Sequence, residues 1–306
     1  MPEHDTDQTK RNNSTTTTIV TMWFDLSTYP DRGSMTRPLS FYQDRAKHVL
    51  ELPYDMVVFC DATTEPLARA MRDSTDTKKN KTEYVVKPLH DYEYYRLAYP
   101  IIVANRALSG PPYDARNTPS YLLMGMFKPV ALQHVALMSS GTITTGHLAW
   151  LDIGCAHVVS TSLSLSCIDA MLQRPKPGVG ACYIHYRSSA ELADPRLYLH
   201  RQGPCGMAST AYTVALDTVA AYYSAMMAIF HEHLVLGVGH TDESVMTYCY
   251  DRYPHLFSLH FGDYASVLCN YHQAVENRDT VRYAFIDPAH NAGRHDLAQL
   301  AEDALS

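Results

Sequence analysis

Three carboxylates close short apolar runs: Asp25 ends TIVTMWFD, Asp61 ends MVVFCD and Asp152 ends LAWLD. Runs of β-branched and aromatic residues read as strands buried on both faces. The crevice beyond the carboxyl ends of such strands is where open α/β sheets bind ligands. Each acid also has a plainer reading, as an Asx turn or a cap on the next helix. Asp152 is the most demanding of the three, because Trp150-Leu151-Asp152-Ile153-Gly154 sets one charge inside an apolar stretch. A carboxylate there requires a cation, a basic partner or several amide donors. A divalent metal suits it, since Mg²⁺ and Mn²⁺ favour carboxylate oxygens, and so does a salt bridge.

Other residues add weaker signals. Asp242 and Glu243 follow Gly239-His240-Thr241 at a helix start, where Thr caps and acids favour the helix dipole even without any catalytic role. His260, in Leu259-His260-Phe261-Gly262, is a metal ligand, a donor to phosphate or a structural histidine. Arg201-Gln202-Gly203-Pro204-Cys205-Gly206 is a loop whose glycines let backbone approach a ligand, but it lacks the Gly-Lys-Ser/Thr of a phosphate loop. His231 and His233 lie two apart on a helix and point to different faces. G-x-S-x-G, H-E-x-x-H and G-x-G-x-x-G do not occur, and nothing pairs Cys60 or Cys155 with a histidine base. The 22 tyrosines line a sugar-binding cleft or pack the core.

The elements that must position these residues follow from the pattern. Thr18 onward, Met56–Asp61, Glu83–Leu89 and Leu148–Ile153 read as strands separated by helical stretches, the pattern of βαβ units around a parallel sheet. Helices are expected from Ser40 as N-cap to Leu52, over Glu65–Arg72, over Tyr92–Asn105, and over Tyr121–Met138 with a kink at Pro129. Later come extended runs at Ala181–Tyr186 and Leu197–Arg201, and a long helix over Ser209–Leu236. A helix over Thr241–Tyr253, a strand over Leu256–Phe261 and a small terminal helix over 291–306 complete the series. Residues 1–17 are polar and read as a disordered tail.

The chain has 306 residues, enough for a sizeable core, and a net charge of -7, which disfavours nucleic acid or an anionic membrane surface as partner. No run of about 20 apolar residues suggests a membrane span. Seven cysteines without C-x-x-C spacing and a polar N-terminus without a signal segment lead us to expect free thiols and a soluble cytoplasmic protein.

Together TIVTMWFDL, VVFCD, YLLMGMFKP, WLDIG, QGPCG, HTDESVM and GDYASVLCNYH, spread in this order over residues 18–275, resemble the HtrL/YibB family of glycosyltransferase-like proteins. The resemblance implies a GT-A-like α/β fold, mostly parallel with flanking helices and a smaller C-terminal acceptor-side lobe. It implies one domain over 18–290, with a nucleotide-sugar half (18–155), an acceptor half (156–290) and a C-terminal tail (291–306). The activity implied is transfer of a sugar from a UDP-linked or other nucleotide sugar to a glycan or glycoprotein acceptor, in glycan biosynthesis. Asp152 falls where GT-A enzymes carry the Asp-x-Asp that holds Mn²⁺ or Mg²⁺, with Gly154 in place of the second Asp, and His260 is similar to the C-terminal histidine that completes the metal site. Asp242 and Glu243 resemble acids that contact the acceptor and the reaction centre. Asp25 and Asp61 are expected near the nucleoside, Lys128 and Arg201 at the phosphates, and Gly203, Gly206 and His240 on the acceptor side. The competing readings are a metal-dependent nucleotidyltransferase or phosphohydrolase, and a non-catalytic carbohydrate-binding protein on the same scaffold.

Overall fold

The computed structural model describes residues 17–33, 36–73, 80–109, 117–138, 145–159, 162–196, 205–238 and 241–306. Strands β1 (Thr17–Trp23), β2 (Met56–Cys60), β3 (Thr82–Val86), β4 (His147–Leu151), β5 (Val179–Tyr183), β6 (Met207–Ala215) and β7 (Phe257–Phe261) form one sheet in the order β3-β2-β1-β4-β6-β5-β7. Every pairing is parallel except those of β6, which runs against both β4 and β5. This is the expected mostly parallel α/β architecture, and it puts the carboxyl ends of β1, β2 and β4 on one edge. The sheet runs without a break across residue 155.

Alternation along the strands divides the core in two. Val20, Met22, Val57, Phe59, Leu148 and Trp150 face one layer, and Ile19, Met56, Val58, Cys60, Ala149 and Leu151 face the other. A strand covered on both sides has no polar face, which is why these runs read as continuous apolar stretches. The first layer is closed by α3 (Glu93–Ser109), α4 (Pro119–Met138), α6 (Val219–Val235), α7 (Asp242–Arg252) and the terminal α8 (His295–Leu305). The second is closed by α1 (Leu39–Leu50), α2 (Glu65–Asp73) and α5 (Ser162–Gln173).

Three expectations are corrected. The long helix over Ser209–Leu236 is two elements: Met207–Ala215 is β6, a turn follows over Leu216–Thr218, and only Val219–Val235 is helical. The β-branched residues of Met207–Ala215 fill the slot between β4 and β5, so tertiary pairing overrode a helical spacing. Ser40 lies inside the first turn of α1, whose N-cap is Pro38 without a side-chain cap. At α4 the cap is supplied from afar: Ser120 donates from N–H to Asp31 at 2.7 Å and from its hydroxyl at 2.6 Å. Finally, by length and composition α4 is apolar enough to span a bilayer; here ten of its side chains are buried and it packs on β1, β4, α6 and α7. Of the expected tail (residues 1–17), Thr17 instead opens β1 and residues 1–16 lie outside the described residues, as does the whole Leu197–Arg201 run.

Candidate active site

A cavity of about 690 Å³ opens beyond the carboxyl ends of β1 and β4, roofed by the starts of α1 and α7 and by α4. That volume is ordinary for a small-molecule site. On its floor, Lys128 reaches out of an apolar helix and is only 5% exposed. Its Nζ lies 3.0 Å from Asp152 Oδ1 and 2.9 Å from Asp242 Oδ2. It also donates to the carbonyl and the hydroxyl of Ser209, each at 3.0 Å. Trp150 Nε1–H donates to Asp152 Oδ1 at 2.7 Å. Asp152 N–H is tied to Thr210 O at 2.9 Å, which locks the end of β4 against β6. Burial pulls the Lys128 pKa down, but Asp152 and Asp242 outweigh it and the amine is held charged, its pKa raised. Burial raises the Asp152 carboxyl, with Asp242 adding to the rise and Lys128 opposing it.

Glu243, one residue on, belongs to the same chamber but not to the ion pair. Tyr264 donates its hydroxyl proton to Glu243 Oε2 at 2.9 Å, and burial first, then the charge of Asp242, pushes the Glu243 carboxyl up to about 7. A carboxyl poised there exchanges protons near neutrality, which general acid–base chemistry requires. Asp242 comes this close to α4 because Gly125 has no side chain: a Cβ there would meet Asp242 Cγ at 3.0 Å and overlap its Oδ1. Pro129 follows the lysine in α4 and cannot donate to the Gly125 carbonyl, which leaves a weak point in the helix beside the site.

A cationic wall lies on the α1 side. Arg37 donates to His157 Nε2 at 2.9 Å and lies 4.6 Å over the Phe41 ring. An acceptor Nε2 makes His157 the Nδ1–H tautomer, which donates to Gly154 O at 3.2 Å. Arg106, Trp23, Tyr42, Tyr121 and Cys205 also line the cavity, and burial pushes the Cys205 thiol up to about 12.

The residues expected from sequence divide accordingly. Lys128, Asp152, Asp242 and Glu243 are brought together, and Asp25 stands on the cavity wall. Asp25 accepts from Ser27 N–H at 3.0 Å and Ser27 hydroxyl at 2.6 Å, the plain Asx turn. Asp61 is not among the lining residues; it accepts from Asp25 N–H at 2.8 Å and from Thr63 and Thr64 N–H at 3.0 Å each, starting α2. His260 is corrected outright as a partner of Asp152. It lies on β7, separated from β4 by β6 and β5, and its Nε2–H donates to Val267 O at 2.9 Å. Burial, with Lys176 and His272 nearby, drives its pKa down to about 3. Gly206 abuts Thr247, whose hydroxyl accepts from Gly206 and Met207 N–H at 3.1 and 3.0 Å, so it is a packing glycine beside Cys205. Arg201, Gly203 and His240 lie outside the described residues.

As a divalent site the donor set does not fit. The two carboxylates facing each other are already bridged by an ammonium, and His260 is elsewhere. A side chain at Gly154 would meet the Tyr42 ring at 3.1 Å. Among the described residues no group of three or more His, Cys, Asp or Glu is arranged to hold a metal ion. Tyr264, Arg37 and Gly125 had no signal in spacing. The pairing of Lys128 did have one: it is the single charge in YLLMGMFKPVALQHVALM, and such a charge must find partners.

No protein-family model matches the chain, and no curated protein matches it in sequence. Among solved structures the chain is similar to 4-diphosphocytidyl-2C-methyl-D-erythritol synthase from Anaerococcus prevotii, at 10% identity over 88% of this chain and 95% of that one, with a TM-score of 0.38. It is similar at 10% identity to the galactosyltransferase LgtC in complex with donor and acceptor sugar analogues, over 79% of this chain and 72% of that one, TM-score 0.38. Core-mannan synthase A from Aspergillus fumigatus, in its Mn/GDP form, is 11% identical over 85% of this chain and 78% of its own, TM-score 0.38. Likeness of this degree assigns neither activity nor residues to this chain.

Proposed function

We propose that the cavity binds a nucleoside-diphosphate sugar, UDP-linked in the first instance, and transfers its sugar to a hydroxyl of a glycan or glycoprotein acceptor. The observation that carries this reading is Glu243, poised near neutrality beside a lysine-bridged pair of carboxylates in a cavity at the strand ends. The acceptor oxygen attacks the anomeric carbon, its proton passes to Glu243, and the bond to the diphosphate breaks with its electron pair leaving on the phosphate oxygen. Positive charge develops on the sugar ring in such a transfer, so carboxylates on the floor favour it. Asp152, with about a third of its side chain exposed, accepts sugar hydroxyls, and Tyr42 and Tyr121 offer ring faces. Arg37 and Arg106 are the cations for the diphosphate. The resemblance drawn from WLDIG and HTDESVM supports the same reading.

The first test is a thermal-shift series with UDP, GDP, CDP and ADP. A ligand present at about 100 times its dissociation constant adds roughly 2.7 kcal/mol to the stability of the folded state. Stabilisation by one diphosphate, followed by release of that diphosphate from its sugar conjugate and loss of release in Glu243→Gln, is the expected result. Pyrophosphate release without sugar would make the site a nucleotidyltransferase. Sugar binding with no turnover would leave a carbohydrate-binding protein, and no shift with any diphosphate overturns the reading.

A further inference from the structure

We infer that Lys128 is the resident cation of this site: its ammonium holds the place between Asp152 and Asp242 that a divalent metal would take, and the cavity engages its ligand without one. The ligand named here rests on the transferase reading; the identity of the cation does not.

Five oxygens converge on Lys128 Nζ: Asp152 Oδ1 at 3.0 Å and Oδ2 at 3.3 Å, Asp242 Oδ2 at 2.9 Å, and the carbonyl and hydroxyl oxygens of Ser209 at 3.0 Å. These are ammonium-to-oxygen lengths, longer than the roughly 2.0–2.6 Å that Mg²⁺ or Ca²⁺ require. A lysine has three protons; Asp152 and the carbonyl and hydroxyl of Ser209 accept from the ammonium, and Asp242 meets it as an ion pair. The stem has nowhere else to go, because it leaves the middle of α4 with its side chain 6% exposed, and the missing Cβ of Gly125 is what lets Asp242 close on it. A metal entering this cage must evict a lysine built into a packed helix. Nor could a side chain at position 154 supply a second anchor beside Asp152, since the Tyr42 ring takes the space it would need.

Charge then divides the ligand between two ends of the cavity. Lys128 with Asp152 and Asp242 sums to one negative charge, so this floor attracts hydroxyls and repels phosphate. The diphosphate belongs with Arg37, whose guanidinium His157 and Phe41 hold in place.

The test uses the whole chain, stripped with EDTA, and titrates Mn²⁺ by calorimetry while following thermal unfolding. Wild type is expected to show no saturable Mn²⁺ binding below millimolar concentration and no shift in Tm, and the shift given by UDP is expected to be equal in Mn²⁺ and in EDTA. Lys128→Ala empties the cage; its lowered Tm is expected to recover in part with millimolar Mn²⁺ or Ca²⁺, while Lys128→Arg needs neither. One Mn²⁺ per wild-type chain at micromolar affinity, or a UDP shift abolished by EDTA, overturns the inference. Should Lys128→Ala not fold, the wild-type titration decides alone. If no nucleotide shifts Tm in either buffer, the transferase reading falls, and the Mn²⁺ titration still decides the role of Lys128.

Discussion

Asp242 and Glu243 are adjacent in sequence and opposite in role, because one faces an ammonium and the other a tyrosine hydroxyl. With its pKa near 7, Glu243 is the proton acceptor only above neutrality. Transfer is therefore expected to climb as pH rises through 7, and Glu243→Gln to lower turnover by about 10²–10⁴-fold while nucleotide binding persists. The same shift has a stability consequence. The folded state holds this proton up to about pH 7 and the unfolded chain releases it near the ordinary glutamate value, so between those limits stability falls as pH rises. Glu243→Gln should accordingly melt higher than wild type at pH 8 and lose that advantage toward pH 4. Asp61 makes a contrasting case. As a turn-former accepting from the N–H groups of Asp25, Thr63 and Thr64, it predicts that Asp61→Ala costs about 2–4 kcal/mol of stability in chemical denaturation. A nucleoside contact would instead weaken nucleotide binding at unchanged stability.

At the scale of elements, the site depends on how closely α4 and α7 approach. Glycine inside a helix ordinarily gains from replacement by alanine. Here the sign reverses, because the new methyl would strike the Asp242 carboxylate. Gly125→Ala is expected to lose about 1–3 kcal/mol, and a domain of this size shifts by about 2–4 °C in Tm per kcal/mol. Since the methyl pushes Asp242 off Lys128, turnover should fall with it. Removing the lysine itself leaves Asp152 and Asp242 facing each other uncompensated. Lys128→Ala is expected to lose about 3–5 kcal/mol, toward the lower end because water reaches Asp152.

Across the whole molecule, one sheet gathers residues from segments far apart in sequence into the cavity, among them the end of β1, the loop before α1, α4, the end of β4, the start of β6 and the start of α7. The cysteines report on that burial. All seven are free thiols; five are buried, and only Cys167 and Cys205 are half-buried, with their thiol pKa values raised by burial. Labelling with a thiol reagent is expected to be slow in the folded state, led by Cys167, and to reach all seven on denaturation. Cys205 lines the cavity, so a bound nucleotide sugar should protect it selectively.

Sequence alone determined strands β1, β2 and β4 and their burial, since a strand covered on both sides is largely apolar, and Asp25, Asp61 and Asp152 stand just past their ends; β6 it read as helix. It also made Asp152 a carboxylate in need of a positive partner, while assigning Lys128 to the phosphates rather than to the acids. What it left open was which acid meets which base. Asp61 and His260 stand beside Asp152 as candidates by pattern, yet one is used up in a turn and the other sits three strands away. That choice belongs to the strand order β1-β4-β6, to the antiparallel entry of β6 that brings Ser209 beside Asp152, and to a glycine that admits Asp242. Local pattern is a matter of neighbours along the chain, whereas an ion pair between residues 128, 152 and 242 exists only once the sheet has closed around it.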